Sequence, residues 1–452
     1  LFTFANASFA TPTLAGIYGT SYSGGKNLDL ANVQTGDRFG TSVSLDGLRL
    51  AIGAPRDDGS GNAATDSGAV YLVTFADDLF TTPALQATFG AGYGAIGGKN
   101  RTVAEIAAND LFGFSVSIDA ERLAVGALFD DGATNSTTDA GAVYLFTFGD
   151  TLFTQSTLRG TLGAGYRAYT PVNLASSPTI ISNEFFGTSV SLSGNRLAVG
   201  ASGDSGALGN ASGAGAVYLF TFASAAFSTP TLQSIIGFGY SGGKNFSVGT
   251  LAATDVFATS VSLDGNRLAV GAPSDDGATN SVNNSGAVYL FSFADASFTA
   301  PTLEARIGVG YTGGKNLSMP DLAISDSFGW SVSLDGNRLA VGAPGDDGFG
   351  ESSAGSGAVY LFTFADATFA TPALAGTIGK NYVGASSHNV ANLDANDQFG
   401  YSVSLDGDRL AVGARADRSA ANNLSQVGAV YLFSFADAVF ATPTVQAIVG
   451  KG

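Results

Sequence analysis

Polar and apolar positions follow a fixed order along this chain. A first segment alternates, as in 42–45 (Ser-Val-Ser-Leu), and ends at Asp46-Gly47, a dipeptide that tolerates positive φ and favours a tight hairpin. No window keeps a helical period, so the pattern predicts an all-β fold. The three strands that complete the unit are predicted at 49–53, 68–75 and 85–89.

The same order returns six times. Its opening Phe stands at intervals of 71 to 74 residues, at Phe39, Phe112, Phe186, Phe257, Phe328 and Phe399. Self-similarity at this period is typical of repeat architectures. We expect one domain over 1–452, with a half-unit and connection at 1–38 and repeat units at 39–111, 112–185, 186–256, 257–327, 328–398 and 399–452.

The third strand is apolar on both faces, as in 288–293 (Val-Tyr-Leu-Phe-Ser-Phe). A strand of this kind is covered on both sides, which favours a β-propeller of four-stranded blades over a sandwich. Six units plus a half-unit favour seven blade positions, with six blades as the alternative. The incomplete blade would be filled by flanking sequence or a neighbouring copy, since the chain opens inside a unit and is expected to be a segment of a longer one.

The signature of each unit resembles a known family. Phe39-Gly-x-Ser-Val followed by Leu50-Ala-Ile-Gly-Ala-Pro55 resembles the FG-GAP repeat of the integrin α-chain propeller and of bacterial haemagglutinin-like surface proteins. The resemblance implies a propeller that works in adhesion. Many integrin-like repeats carry an Asp-x-Asp-x-Asp-Gly calcium loop between the first two strands, whereas this turn offers Asp46 alone, so that site is not expected here.

Charge and composition restrict the classes of partner that are expected for this chain. The net charge of −17 disfavours nucleic acid, and no apolar run is long enough for a membrane span. The chain has no Cys, which excludes disulfides and thiolate metal sites. We expect an extracellular or cell-surface location, with a protein, a glycan or copies of the chain itself as partners.

Acidic pairs follow the second strand in four units. They could contribute to a weak calcium site, or they could cap backbone N–H groups in a solvated turn. No tightly bound cofactor is expected. The pairs are Asp57 and Asp58, Asp130 and Asp131, Asp275 and Asp276, and Asp346 and Asp347.

A Tyr and a Gly-Gly-Lys-Asn segment follow the fourth strand in four units. A ligand-binding loop is one interpretation, as in propellers that hold a sugar between blades, and a glycine turn with a solvated Lys is the other. The candidates are Tyr22, Lys26, Tyr93, Lys99, Tyr240, Lys244, Tyr311 and Lys315.

Two charged positions occur in every unit. An acid precedes each signature Phe by two residues, and an Arg occupies one position of the second strand. Either they form a charged ligand face, or the Arg pairs with the acid or a backbone carbonyl at the blade edge. The acids are Asp37, Asp110, Glu184, Asp255, Asp326 and Asp397, and the arginines are Arg49, Arg122, Arg196, Arg267, Arg338 and Arg409.

The single His388 lies in a polar stretch, and no Gly-x-Ser-x-Gly nucleophile elbow is present. These observations predict a protein that is not an enzyme. The function expected from sequence is a non-catalytic extracellular adhesion or structural scaffold propeller, with a carbohydrate-binding propeller lectin as the alternative.

Overall fold

The computed structural model describes residues 2–3, 13–14, 18–19, 28–30, 32–34, 36–77, 81–94, 99–166, 180–384, 387–418 and 428–450. All regular structure there is β. The first strands are β1 Phe2–Thr3, β2 Thr13–Leu14, β3 Tyr18–Gly19, β4 Leu28–Asp29, β5 Ser42–Asp46, β6 Arg49–Ala54, β7 Ala69–Thr74, β8 Ala84–Gly90, β9 Arg101–Thr102, β10 Phe112–Asp119, β11 Arg122–Ala127, β12 Ala142–Thr147, β13 Thr157–Gly163, β14 Phe186–Ser193, β15 Arg196–Ala201, β16 Ala216–Thr221 and β17 Thr231–Gly237. The others are β18 Phe246–Ser247, β19 Ser260–Asp264, β20 Arg267–Ala272, β21 Ala287–Ser292, β22 Thr302–Gly308, β23 Leu317–Ser318, β24 Ser331–Asp335, β25 Arg338–Ala343, β26 Ala358–Thr363, β27 Ala373–Gly379, β28 His388–Asn389, β29 Phe399–Asp406, β30 Arg409–Ala414, β31 Ala429–Ser434 and β32 Thr444–Gly450.

Six sheets of four consecutive antiparallel strands form the blades of a six-bladed β-propeller fold. They begin at β5, β10, β14, β19, β24 and β29. In the first, third, fourth and fifth blades a two-residue strand adds to the outer edge, and in the first, fourth and fifth it runs parallel to its neighbour, as β9 does on β8. The four strands predicted from sequence in the first unit are confirmed to within one residue at each end.

The preference for seven blade positions is not supported. Among its described residues, the half-unit at 1–38 contributes the two-residue strands β1 to β4, in two separate two-stranded ladders. Within the described residues there is no seventh four-stranded sheet. The six-blade alternative is the observed fold.

The chain divides into two compact units. The first comprises Leu1–Thr3, Thr13–Ser205 and Gly215–Ile236, and holds the first three blades. The second comprises Phe4–Pro12, Gly206–Ala214 and Gly237–Gly452, and holds the last three.

Cores lie between neighbouring blades of each unit. In the first unit, Val70 and Phe89 of one blade share a cluster with Phe112 and Tyr144 of the next. The same arrangement joins the fourth blade to the fifth and the fifth to the sixth. The prediction that the third strand is covered on both faces is confirmed in the first five blades, where the Val and Leu of one face and the Tyr of the other are buried, as Val288, Leu290 and Tyr289 are. The six tyrosines, which are all buried, are Tyr71, Tyr144, Tyr218, Tyr289, Tyr360 and Tyr431.

The signature glycines permit this close packing. Gly53, in the second strand of the first blade, lies against the backbone of Gly113 in the next. A Cβ on Gly53 would stand 2.0 Å from the carbonyl oxygen of Gly113. Gly113 itself has φ of +90°, which a residue with a side chain rarely adopts. The Phe-Gly and Gly-Ala-Pro halves of the signature therefore meet across a blade boundary.

Candidate functional site

The first Asp of each acidic pair is held inside its own blade. Asp57, which is buried, accepts hydrogen bonds from the hydroxyls of Tyr71 at 2.6 Å and Tyr93 at 2.9 Å. The backbone N–H of Gly59 donates a third at 2.8 Å. Tyr71 belongs to the third strand and Tyr93 follows the fourth, so this Tyr–Asp–Tyr cluster ties the outer half of the blade to the second-to-third loop.

The same cluster is present in three further blades, and the Tyr–Asp contact of the third strand is present in the other two. Asp204 accepts from Tyr218 at 2.7 Å, and Asp417 accepts from Tyr431 at 2.8 Å. The complete clusters are Asp130 with Tyr144 and Tyr166, Asp275 with Tyr289 and Tyr311, and Asp346 with Tyr360 and Tyr382.

The second Asp of each pair closes the loop that follows. Asp58 accepts the backbone N–H of Asp66 at 2.8 Å, eight residues later in the same loop. This is the N–H capping interpretation of the sequence. Asp131, Asp276 and Asp347 accept from Asp139, Asn284 and Gly355 in the same way. Across the described residues, no three His, Cys, Asp or Glu side chains are arranged to hold a metal ion.

The acids that precede the signature Phe are buried beside these clusters. Asp110 accepts the backbone N–H of Ala107 at 2.7 Å. Burial raises the pKa of Asp110 to about 7, and the neighbouring Asp130 carboxylate adds to the rise. Burial also raises the pKa of Glu184 to about 8 and those of Asp255 and Asp326 to about 7. A neutral carboxyl group is therefore favoured at several positions in the fold.

The second-strand Arg pairs with the Asp of its own hairpin and reaches the next blade. Arg49 binds Asp46 and donates to the carbonyl oxygen of Ala120. Of the two partners that the sequence suggested, the backbone carbonyl at the blade edge is observed. The acidic partner is the hairpin Asp, and not the acid before the signature Phe. Arg122, Arg267 and Arg338 pair with Asp119, Asp264 and Asp335 in the same way. In the following hairpin Arg122 donates to the carbonyl oxygen of Gly194, and Arg267 and Arg338 donate to the side-chain oxygens of Asn337 and Asp408.

Two serines of the first strand complete this contact. Ser42 donates to the carbonyl oxygen of Gly113 at 2.8 Å, and Ser44 accepts the N–H of Ile118 at 3.0 Å. Asp46 accepts the N–H of Ala120 at 2.9 Å. We call the two serines, the Asp and the Arg of one hairpin the junction ladder. The ladder recurs where the second blade meets the third, the fourth the fifth and the fifth the sixth.

The lysines proposed for ligand binding contact protein groups. Lys244 donates to the carbonyl oxygen of Ser297 at 2.7 Å, and Lys315 to that of Thr368 at 2.6 Å, both in the loop of the following blade. Lys99 donates to Gln86. Of the proposed tyrosines, Tyr93 and Tyr311 are buried in the Tyr–Asp–Tyr clusters and Tyr240 is half-buried, while Tyr22 and Lys26 lie outside the described residues.

Two aromatic side chains and an Arg lie close together at positions where other repeat units have different residues. Trp330 and Tyr401 follow Phe-Gly in the fifth and sixth units, and their ring centroids are 5.3 Å apart. The guanidinium carbon of Arg415 lies 4.7 Å from the centroid of the Tyr401 ring, and its Nη1 donates to the Tyr401 hydroxyl at 2.7 Å. Both rings are half-buried and Arg415 is exposed. Sequence reasoning missed this group, although the substitution of Trp, Tyr and Arg at repeated positions was a readable signal.

His388 lies in β28, 5.9 Å from the Phe433 ring between centroids, and burial lowers its pKa. In the part of the chain that the structure describes, no helix could cross a bilayer.

Comparison with solved structures corrects the expectation that the chain is not an enzyme. The periplasmic gluconolactonase of Pseudomonas aeruginosa is similar over 100% of this chain and 92% of its own, at 11% identity and a TM-score of 0.52. That protein is named as an enzyme and shares this architecture, so a propeller fold does not argue against catalysis. At that identity the likeness shows the fold alone.

The remaining comparisons concern a designed protein, curated proteins and the repeat family. The computationally designed Ika8 protein is similar over 91% of this chain and 86% of its own, at 8% identity and a TM-score of 0.37. Comparison with curated proteins gives no match. The FG-GAP repeat matches residues 30–74, 102–146, 181–220, 251–291, 315–362 and 391–433, which together exceed half of the sequence. The chain belongs to the FG-GAP repeat family.

Proposed function

We propose that this chain is a structural scaffold at a cell surface or in the extracellular space, a segment of a larger adhesive assembly in which copies join head to tail. The junction ladder supports the proposal. Within each unit it joins blade to blade through the same serines, Asp and Arg, so the hairpin of one blade is complementary to the first strand of the next.

The first strand of the first blade presents an open receiving face. Leu45 is 50% exposed, whereas its counterparts Ile118 and Leu334 are each 6% exposed. Val43 is 64% exposed, against 8% for Val116. A preceding blade would cover both side chains, and burying them would contribute on the order of 1 kcal/mol each or more.

The hairpin of the sixth blade presents the opposite face. The Asp406 side chain is 76% exposed, against 32% to 37% for the hairpin Asp in the first, second, fourth and fifth blades. Asp406 and Arg409 bind each other as the pairs in those blades do. The sixth blade therefore displays the donating face of a junction, and the first blade displays the receiving face.

Two different faces that fit each other generate a heterologous, head-to-tail contact between copies. Sedimentation velocity over a concentration series tests it on the full chain. The parent should grow in size with concentration. Leu45→Arg and Asp406→Arg should each remain monomeric, and an equimolar mixture of the two variants should stop at a dimer, because each variant keeps one intact face.

Leu208→Arg is the matched control, since Leu208 is highly exposed in a loop of the third blade. It should assemble as the parent does. A parent chain that stays monomeric at every concentration would overturn the proposal, because closure of the two faces within one chain would leave nothing for a second copy. Single variants that assemble like the parent would overturn it as well.

A further inference from the structure

We propose that Trp330, Tyr401 and Arg415 form a binding site for a carboxylate-bearing sugar, such as a uronic acid residue of a polysaccharide. The site deepens the surface role proposed above by naming a ligand class. It does not depend on assembly of copies.

The first argument is the break in repeat symmetry. The residue two positions after the signature Phe is Thr in three units, Thr41, Thr188 and Thr259, and it is Phe114 in the second unit. Each Thr hydroxyl donates to a backbone carbonyl three residues earlier. In those units the position serves the turn. Trp330 and Tyr401 have side chains that cannot make this bond in the same way, and they contact each other across the boundary between the fifth and sixth blades.

Arg415 breaks the symmetry at a second position. The residue that directly follows the second strand is Pro55, Leu128, Ser202, Pro273 and Pro344 in the first five units. The Arg at this place in the sixth unit is exposed. Its contacts are with Tyr401, the aromatic residue that also departs from the repeat.

The geometry suits a planar anionic group beside a sugar ring. The Tyr401 hydroxyl and ring hold the guanidinium from one side, which reduces the side-chain entropy that a ligand would otherwise have to overcome. A guanidinium binds a carboxylate through two parallel hydrogen bonds. The half-buried Trp330 ring, which contacts Tyr401, offers an apolar surface to the C–H face of a sugar.

The charge of the chain makes this local cation distinctive. At a net charge of −17, most of the surface repels a polyanion. An acidic sugar is therefore expected to bind where a fixed cation and an aromatic surface coincide, and not through general attraction to the protein.

The single Trp of the chain is Trp330, so its fluorescence reports directly on this site. The probe is an oligogalacturonate, with a neutral galactan oligosaccharide of equal length as control. The titration is run on the Leu45→Arg variant, so that assembly and sugar binding can fail separately. Oligogalacturonate should change the Trp emission saturably, and the neutral oligosaccharide should bind at least about tenfold more weakly, the loss expected when a charge-assisted pair is missing.

Arg415→Ala should weaken binding about tenfold or more by the same reasoning. Arg418→Ala is the matched control, because it removes the same charge from an exposed residue three positions away that has no ring contact among the described residues. Its affinity should stay close to that of the parent. Trp330→Phe, measured by calorimetry, should retain weaker binding, and a thermal melt checks the fold of each variant.

Three results would overturn the site. The first is no saturable response to oligogalacturonate, and the second is an equal response to the neutral oligosaccharide. The third is an equal loss of affinity in Arg415→Ala and Arg418→Ala, which would mean that general positive charge, and not a built site, attracts the ligand.

Discussion

Truncation of Tyr289 tests the burial of the third strand most directly. The Tyr289 side chain is fully buried, and its ring meets Phe257 edge to face at 5.3 Å and Tyr311 at 6.3 Å between centroids. A buried aromatic side chain covers roughly 150–250 Å², worth about 4–6 kcal/mol at about 25 cal/mol per Å² as an upper figure. Measured truncations of large aromatics cost about 3–5 kcal/mol, and we expect Tyr289→Ala to lower the free energy of unfolding by that amount.

Tyr289→Phe separates the ring from the hydroxyl. The hydroxyl donates to Asp275 at 2.7 Å, and its removal leaves that buried carboxylate with the Tyr311 hydroxyl and the Gly277 N–H. We expect a loss of about 1.5–3 kcal/mol, the usual value for a hydrogen bond to a charged group. Urea unfolding followed by far-UV circular dichroism measures both variants. Phe349→Ala, which truncates an exposed aromatic ring, should cost less than about 1 kcal/mol. A Tyr289→Ala chain within about half a kcal/mol of the parent would refute the argument that both faces of the third strand are covered.

Two further predictions concern protons and metal ions. Because the pKa values of Asp110, Asp255 and Asp326 are raised to about 7, the folded chain binds more protons than the unfolded chain between about pH 4 and pH 7. Thermal stability should therefore fall as pH rises through that window, and Asp110→Asn should make the fall smaller. A thermal midpoint that rises between pH 5 and pH 8 would contradict these pKa values. Chelation with EDTA should leave the thermal midpoint nearly unchanged, because the Asp57 and Asp58 carboxylates already accept hydroxyl and N–H donors; a drop of more than about 10 °C would mean that calcium is structural.

The bounds of the strands in the first unit could be predicted closely, because the residue types there each favour one local conformation. Asp46-Gly47 selects a tight hairpin, and the alternation before it sets which side chains share a face. The blade number could not be predicted in the same way. It depends on how many complete sheets the chain closes, and the half-unit at 1–38 carries strand-like sequence without forming a four-stranded sheet in the described residues.

The contacts at the candidate site were harder to predict, because the residues that form them are far apart in the sequence. Asp57 meets Tyr71 and Tyr93, which lie 14 and 36 residues later, and only the pairing of the third and fourth strands brings the two hydroxyls to one carboxylate. A short motif such as Asp57-Asp58 shows the acids but not their donors. The same limit applies to Arg49, whose partner in the next blade is Ala120.

Repetition itself separates structural from functional residues in this chain. A side chain present in every unit must serve something that every unit has, and the Tyr–Asp contacts and junction ladders serve the blade and its boundary. Binding of a particular ligand instead requires a place unlike the other five. Trp330, Tyr401 and Arg415 meet that condition, as do the open faces at Leu45 and Asp406. Because the propeller fold also carries an enzyme, the fold cannot decide what such a place does, and the decision falls to the residues that the repeats do not share.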